Sequence, residues 1–413
     1  MTLFEELKAR EIIAQTSGDD EVAELINNGK AVFYTGFDPS ADSLTAGHFV
    51  PLTLMKRLQS AGNKPIVLTG GGTMMVGDPS GRTDMRSMLT IDDIRANAKR
   101  FQAQFERFMT FGDGKTDAMA VDNSDWLMKL NYLDFLRDIG VHFSVNRMLA
   151  AECYKNRMAQ GLTFLEFNYM IMQAYDFYHL NEQFGCNLQL GGDDQWSNIL
   201  AGADLVRRKS GKQAHALTIA LLLTHDGQKM GKTQKGALWL DKSKTSPYEF
   251  FQFFRNVHDD DALRYLKRLT FVTMDEIREY EGLTGSAVNE IKERLAFEMT
   301  AMVHGGEEAN KAKETARGLF SGGAAETMPS TEITAAQLMD DALTVIDALV
   351  LCGIAKSKGE ARRLIEQGGV TVDEQKVADI AQTIAREVLQ NGVVLRKGKK
   401  VYHKITLRGP INL

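Results

Sequence analysis

Four short apolar runs, each ending in glycine or aspartate and separated by longer helical patterns, constrain this chain more than any other feature. They are AVFYTGF at 31–37, PIVLTG at 65–70, AMAVD at 118–122 and NLQLGG at 187–192. Runs that are apolar almost throughout, rather than on alternate residues, suit strands buried on both faces, and helical crossovers between them imply parallel pairing. An α/β fold with an open parallel sheet is therefore expected. Ligands of such sheets collect outside the carboxyl ends of the strands, so the Gly and Asp endings mark the expected site before any motif is considered.

With 413 residues, 44% hydrophobic and 25% charged, the chain can bury a large core and is expected to divide into two or three domains. Its first residues, MTLFEELKAREIIAQ, read as an amphipathic helix without the apolar run of a signal peptide. The longest apolar stretch, ALTIALLL at 216–223, is too short to span a bilayer, so a cytoplasmic protein is expected. Cys153, Cys186 and Cys352 form no CxxC or Cys/His cluster, which suggests neither zinc site nor disulfide framework.

Beyond about residue 245 the pattern turns helical, from SPYEFFQFFRN to AFEMTAMVHGGEEANKAKETARGLF at 296–320. SGGAAETMPSTEIT at 321–334 is rich in small residues and reads as a linker. Two short helical patterns follow, then GGVTVDEQKV and GVVLRKGKKVYHKITL, which read as strands. The expected division is 1–245, 246–320, a linker at 321–341, and 342–413. From residue 342 onward 12 Lys plus Arg face 7 Asp plus Glu, or +5, so the total of −5 leaves −10 on the preceding 341 residues. The basic end suits a nucleic-acid partner.

Four groups of segments carry candidate chemistry, the second of them in two pieces. In FDPSADSLTAGH, 37–48, a strand ends at an Asp-Pro turn and a helix is expected to begin near Thr45, where free N–H groups and hydroxyls suit a triphosphate. Taken alone, Thr45 and His48 equally fit an N-cap and a half-buried histidine. GGGTMMVGDPSGR, 70–82, places glycines and a second Asp-Pro pair before Arg82 and Arg86, which can meet carboxylate or phosphate oxygens. GGDDQWSN, 191–198, repeats that logic, with Asp194 able to accept from a ribose hydroxyl.

The third segment is the helical pattern FLEFNYMIMQAYDFYHL at 164–180, where Tyr169, Gln173 and Asp176 fall within an arc of about 60°. Such a stripe either faces solvent or, if buried, needs partners, because unpaired buried polar groups cost a few kcal/mol. The fourth is KMGKT, 229–233, in which Lys229 and Lys232 can swing onto a triphosphate and stabilise charge that develops in the transition state. A lysine-rich loop alone is ordinary solvated surface.

In chain order, TAGH and KMGKT resemble the HIGH and KMSKS signatures of the class I aminoacyl-tRNA synthetases. GFDPSADSL, GDPSG, the Tyr169/Gln173/Asp176 stripe, GGDDQW and LWLDKSKTSPYEFFQF further resemble the bacterial tyrosyl-tRNA synthetases, over essentially the whole chain. GIAKSKGEARRLIEQGGVTVDEQKV, 353–377, is similar to S-four RNA-binding domains. The resemblance implies a Rossmann-type catalytic domain with a dimer-forming insertion near 125–165, an α-helical tRNA-binding domain and a small α+β module. It implies L-tyrosine, ATP and tRNA(Tyr) as partners, Mg2+ arriving with ATP, and a homodimer.

Carried over by position, Tyr34 and Asp176 would hold the substrate phenol, and Asp78, Tyr169 and Gln173 its ammonium group. Gly36, Asp38, His48, Gly192, Asp194 and Gln195 would line the amino-acid and adenosine pocket. Ser40, Thr45, Arg82, Arg86, Lys229, Lys232 and Thr233 would face the triphosphate. Thr45 stands where the signature has its first histidine, which keeps a hydroxyl but loses reach and charge. The rival readings are a tryptophanyl-tRNA synthetase, against which Tyr34, Asp176 and the basic tail argue, and a non-catalytic RNA-binding paralogue, against which Lys229 and Lys232 argue.

Overall fold

The computed structural model describes residues 1–78, 89–159, 161–227, 230–233, 236–320, 329–339, 341–373, 375–398 and 401–408. They divide into two compact units, 1–245 with 253–305, and 246–252 with 306–413.

The first unit is an α/β Rossmann-type domain. Its sheet has six strands, β1 (Ile13–Thr16), β2 (Val32–Phe37), β3 (Lys64–Thr69), β4 (Met119–Asp122), β5 (Leu188–Gly192) and β6 (His215–Ile219), in the order β1-β6-β5-β2-β3-β4. The four expected runs are β2 to β5, and all pairings among β2 to β6 are parallel. Their apolarity has the expected cause: Phe33, Tyr34, Ile66, Val67, Leu188 and Leu190 are essentially inaccessible. From β2 the chain steps outward to β3 and β4 and then returns to β5 on β2's other side. That reversal opens a crevice at the carboxyl ends of β2 and β5.

The N-terminal segment departs from expectation. The helix spans only Leu3–Ala9, and IIAQ leaves it to form the antiparallel edge strand β1. Glu11 marks the break, with φ at 56°, a left-handed conformation that no helix interior accepts. Arg10 is then drawn inward and donates to the carbonyls of Lys267 at 2.9 Å and Val272 at 2.6 Å. The first unit breaks off at 245 and resumes at 253, so much of the expected helical domain, 253–305, lies in the first unit. Helices Asp259–Leu269, Met274–Tyr280 and Val288–His304 belong to the first unit, and Arg57 adds a stack on Phe271 at 4.3 Å to the Arg10 contacts.

The second unit has a five-stranded sheet formed by Gln375–Lys376, Val370–Val372, Val393–Lys397, Val401–Leu407 and Ser330–Ile333, in that order. Helices Val345–Leu351 and Lys358–Glu366 contribute to its core, where Ile333, Val345, Leu349, Val370, Val393, Leu395 and Ile405 are fully buried. The expected linker is therefore shorter than 321–341. Ser330–Ile333 pairs in parallel with Val401–Leu407, and residues 321–328 lie outside the described residues. Among the described residues, no helix is long and apolar enough to cross a membrane.

Candidate active site

A cleft of about 710 Å³ occupies the crevice at the ends of β2 and β5. Tyr34, Gly36, Asp38, Ser40, Thr45, His48, Asp78, Tyr169, Gln173, Asp176, Gly192, Asp194 and Gln195 all line it. Residues far apart in sequence thus converge on one space. Arg82, Arg86 and Lys229 lie outside the described residues; Lys232–Thr233 is seen as a short backbone strand paired with Gly236–Ala237.

One end of the cleft is sealed. The polar stripe lies on helix Tyr169–Phe184 and faces inward: Asp176 is 1% exposed and Tyr169 7%. Both Asp176 oxygens are used, Oδ1 accepting from the Trp126 indole at 2.7 Å and Oδ2 from the Asn123 amide at 2.9 Å. Burial pushes the carboxyl up to about 7 against those two hydrogen bonds, with Asp38 and Asp122 adding repulsion. Beside it, the Tyr34 hydroxyl is buried and has no hydrogen-bond partner among the described residues. Its acidity is driven far below normal, first by burial and then by Asp176. The Gln189 carbonyl oxygen, on β5 next to Tyr34, is also buried without a described partner. A pocket that leaves such groups unsatisfied at its floor is shaped for a polar ligand.

Sequence reading missed Asn123 and Trp126. No motif spacing marks them, yet Asn123 directly follows β4, and the strand-end rule applied to AMAVD pointed to that position. Asn123 also donates to Thr73 Oγ1 at 3.1 Å, and Thr73 donates to Asp38 Oδ1 at 3.2 Å. This chain of bonds ties the floor to the middle of the cleft, where Tyr169 donates to Asp38 Oδ2 at 3.4 Å. Gly70 makes the approach possible, since a Cβ there would fall 2.1 Å from Asp38 Oδ1. Further along, the Gln195 amide donates to Asp78 Oδ2 at 2.8 Å.

The other end is built from backbone and turns. A 3₁₀ turn at Ala46–His48 runs into helix Phe49–Ser60, close to the expected start. The Thr45 N–H donates to His48 Nδ1 at 3.0 Å, so Nδ1 is an acceptor and the ring proton sits on Nε2. The TAGH and KMGKT segments meet through backbone. Ala46 N–H donates to Leu238 O at 2.8 Å, and Leu238 N–H donates to Gly231 O at 2.9 Å. Gly231 has φ at 90°, and a Cβ on it would sit 3.0 Å from that of Ala46. Small residues at both positions permit this contact.

A family model described as tRNA synthetases class I (W and Y) matches residues 26–321. The chain belongs to that family. A second model, the tyrosine–tRNA ligase SYY-like C-terminal domain, matches residues 321–405. Among full-length relatives, the tyrosine–tRNA ligase of Acetivibrio thermocellus is 53% identical over 98% of this chain and 99% of its own length. That of Caldanaerobacter subterraneus is 50% identical over 99% and 100%. A C-terminally truncated mitochondrial tyrosyl-tRNA synthetase from Aspergillus nidulans matches in structure with a TM-score of 0.68 and 29% identity, covering 77% of this chain and 94% of that one. A tryptophanyl-tRNA synthetase from Encephalitozoon cuniculi, at a TM-score of 0.54 and 14% identity, shares the family's fold.

Proposed function

We propose that the chain is a tyrosine–tRNA ligase, which activates L-tyrosine with ATP and then transfers it to the terminal adenosine of tRNA(Tyr). The observation that carries the choice of amino acid is the unpartnered, buried Tyr34 hydroxyl beside the Asp176 carboxylate. A substrate phenol can donate to Asp176 while accepting from Tyr34. The tyrosine–tRNA ligases at about half identity over nearly the full chain support the same reading.

In the first step a carboxylate oxygen of tyrosine attacks the α-phosphorus of ATP, and the bond to the bridging oxygen breaks as pyrophosphate leaves. The carboxylate is already a competent nucleophile, so the chain supplies position and charge stabilisation rather than a general base. Asp78, Tyr169 and Gln173 would hold the ammonium group, and Gln195 the neighbouring part of the amino acid. Gly36, Asp38, Gly192 and Asp194 would receive the adenosine. His48, with its proton on Nε2, would donate toward ATP, while Ser40, Thr45 and the charged side chains of Arg82, Arg86, Lys229 and Lys232, with Thr233, would face the phosphates. Mg2+ would enter with ATP, whose phosphate oxygens are the hard ligands it prefers. In the second step a ribose hydroxyl attacks the adenylate carbonyl and AMP leaves.

The reading extends to assembly and place. The segment near 125–165 exposes Tyr132, Leu133, Val141, Val145, Phe164 and Leu165, each more than half accessible, and a second copy of the chain would cover them. The domain from about residue 342 would take tRNA phosphates on its basic surface, and the protein would work in the cytoplasm. Tyrosine-dependent exchange of pyrophosphate into ATP is the test of the activity. Exchange by the pure protein supports the assignment, and its absence in folded protein supplied with Mg2+ favours the non-catalytic paralogue.

A further inference from the structure

Two glutamines of the cleft share one hidden partner. Asn198, on helix Trp196–Ser210, is 2% exposed and does not line the cleft. Its Nδ2 donates to Gln173 Oε1 at 3.1 Å and to Gln195 Oε1 at 3.2 Å, using both amide hydrogens. Its own Oδ1 faces the Cys153 thiol at 3.6 Å, a weak donor that burial keeps protonated with its pKa raised to about 11. Gln195 then presents Nε2 to Asp78 Oδ2 at 2.8 Å. The sequence places these groups on separate elements, and only the close packing of helices Tyr169–Phe184 and Trp196–Ser210 brings them together. That packing needs Gly202, where a Cβ would lie 3.1 Å from Phe177.

A carboxamide has a donor end and an acceptor end of nearly the same shape, so a glutamine can present either by a half-turn. At a site for an ammonium group the choice matters, because acceptors attract the cation and donors repel it. Turning Gln195 over would set its oxygen against the Asp78 carboxylate and its NH₂ against the NH₂ of Asn198, two repulsive contacts at once. Asn198 holds both Oε1 atoms in place.

We propose that Asn198 is a positioning residue for amino-acid recognition, acting through Gln173 and Gln195 to fix the amide orientation and the Asp78 carboxylate without touching the substrate. The inference rests on the tyrosine pocket proposed above. Its effect belongs on amino-acid affinity, and a residue that merely fills the core has no reason to discriminate between the two substrates of one reaction.

The experiment uses the full chain and measures pyrophosphate exchange with separate titrations of tyrosine and ATP. Losing a buried hydrogen-bond donor between two acceptors should raise the KM for tyrosine about tenfold in Asn198→Ala, with the KM for ATP within about twofold of the parent. Asn198→Asp keeps the shape and reverses the donor, so it should be worse than alanine on tyrosine KM alone; it keeps the test alive if the alanine variant unfolds. A cycle with Gln173→Ala/Gln195→Ala provides the decisive control. In that background Asn198→Ala should add less than about twofold, because the groups it acts through are gone. An unchanged tyrosine KM in folded Asn198→Ala, equal rises in both KM values, or an undiminished effect without the glutamines would overturn the proposal. If Gln173→Ala/Gln195→Ala itself leaves the tyrosine KM unchanged, the pocket assignment fails first, and the Asn198 proposal fails with it.

Discussion

The two ends of the cleft solve opposite problems with different materials. The end proposed for the phenol is made of side chains: Tyr34, Asn123 and Asp176 are buried, and direct hydrogen bonds from Asn123 and Trp126 lock Asp176. The end proposed for the phosphates is made of a 3₁₀ turn, a helix start and a glycine-containing segment joined through backbone. Selectivity is a difference in affinity between two ligands, so it benefits from groups that cannot relax around the wrong one. Rate enhancement requires interactions that strengthen only as charge develops on the phosphates. Under the proposed assignment the rigid end would choose tyrosine and the turn-built end would accelerate its activation.

The largest expected effect breaks the first half of that contrast. Phenylalanine would leave the Tyr34 hydroxyl buried without a partner and would offer the Asp176 carboxylate no donor beyond Asn123 and Trp126, whereas tyrosine supplies a bond to each. Tyrosyl-tRNA synthetases are the standing illustration of this asymmetry, and the location proposed for it here is Tyr34 with Asp176. Asp176→Ala should lower the preference for tyrosine over phenylalanine, in kcat/KM for pyrophosphate exchange, by at least about a hundredfold. A preference unchanged in the variant would remove Asp176 from the phenol site.

Removing the C-terminal module sharpens the contrast by leaving both ends in place. Every proposed contact to tyrosine and ATP lies before residue 234. A chain ending near residue 322 should keep pyrophosphate exchange within a few-fold and lose more than about tenfold in tRNA charging, with a shallower salt dependence in its residual tRNA binding. Intact charging by the shortened chain would make the module dispensable; lost exchange in folded protein would make it part of the catalytic unit.

A third, about equal effect comes from pH. Burial holds Asp176 at about 7, well above an ordinary carboxyl, so it gains a proton as the pH falls through neutrality. If the phenol donates to the ionised form, the competent fraction shrinks about tenfold between pH 8 and pH 6, and the KM for tyrosine should rise in proportion. Asp176→Asn should flatten that profile. The KM for ATP should not follow it, and a parallel rise would place the titrating group elsewhere.

The smallest effect lies at the other end. Thr45 stands in for a histidine with only a hydroxyl, worth about one neutral hydrogen bond. Thr45→Ala should slow single-turnover adenylate formation about fivefold and leave tyrosine affinity unaltered. An unchanged rate would reduce Thr45 to the cap of its 3₁₀ turn.

The same contrast governs what could be read in the sequence. Strands β2 to β5 were legible because burial on both faces makes them apolar throughout. Strand β1 was not, because it is a partly exposed edge whose residues continue the helical pattern of Leu3–Ala9 past Glu11, where the backbone turns left-handed. Ser330–Ile333 hid for a related reason: only Ile333 is buried, so an edge strand of polar residues reads as a linker. Within the site, the resemblance singled out Tyr34, Asp38, His48, Asp78, Tyr169, Gln173, Asp176 and Gln195, which line one cleft. Asn123 and Trp126 were not singled out, since only tertiary packing brings them to Asp176.

The central claim, that one end selects and the other accelerates, is tested most directly by single-turnover adenylate formation with tyrosine and with phenylalanine in three proteins, the parent, Asp176→Ala and Thr45→Ala. The account predicts that the parent strongly prefers tyrosine and that Asp176→Ala loses most of that preference. Thr45→Ala should slow both amino acids by the same factor and keep the preference intact. Equal rates with the two amino acids in the parent, or a Thr45→Ala variant that changes the preference, would contradict it.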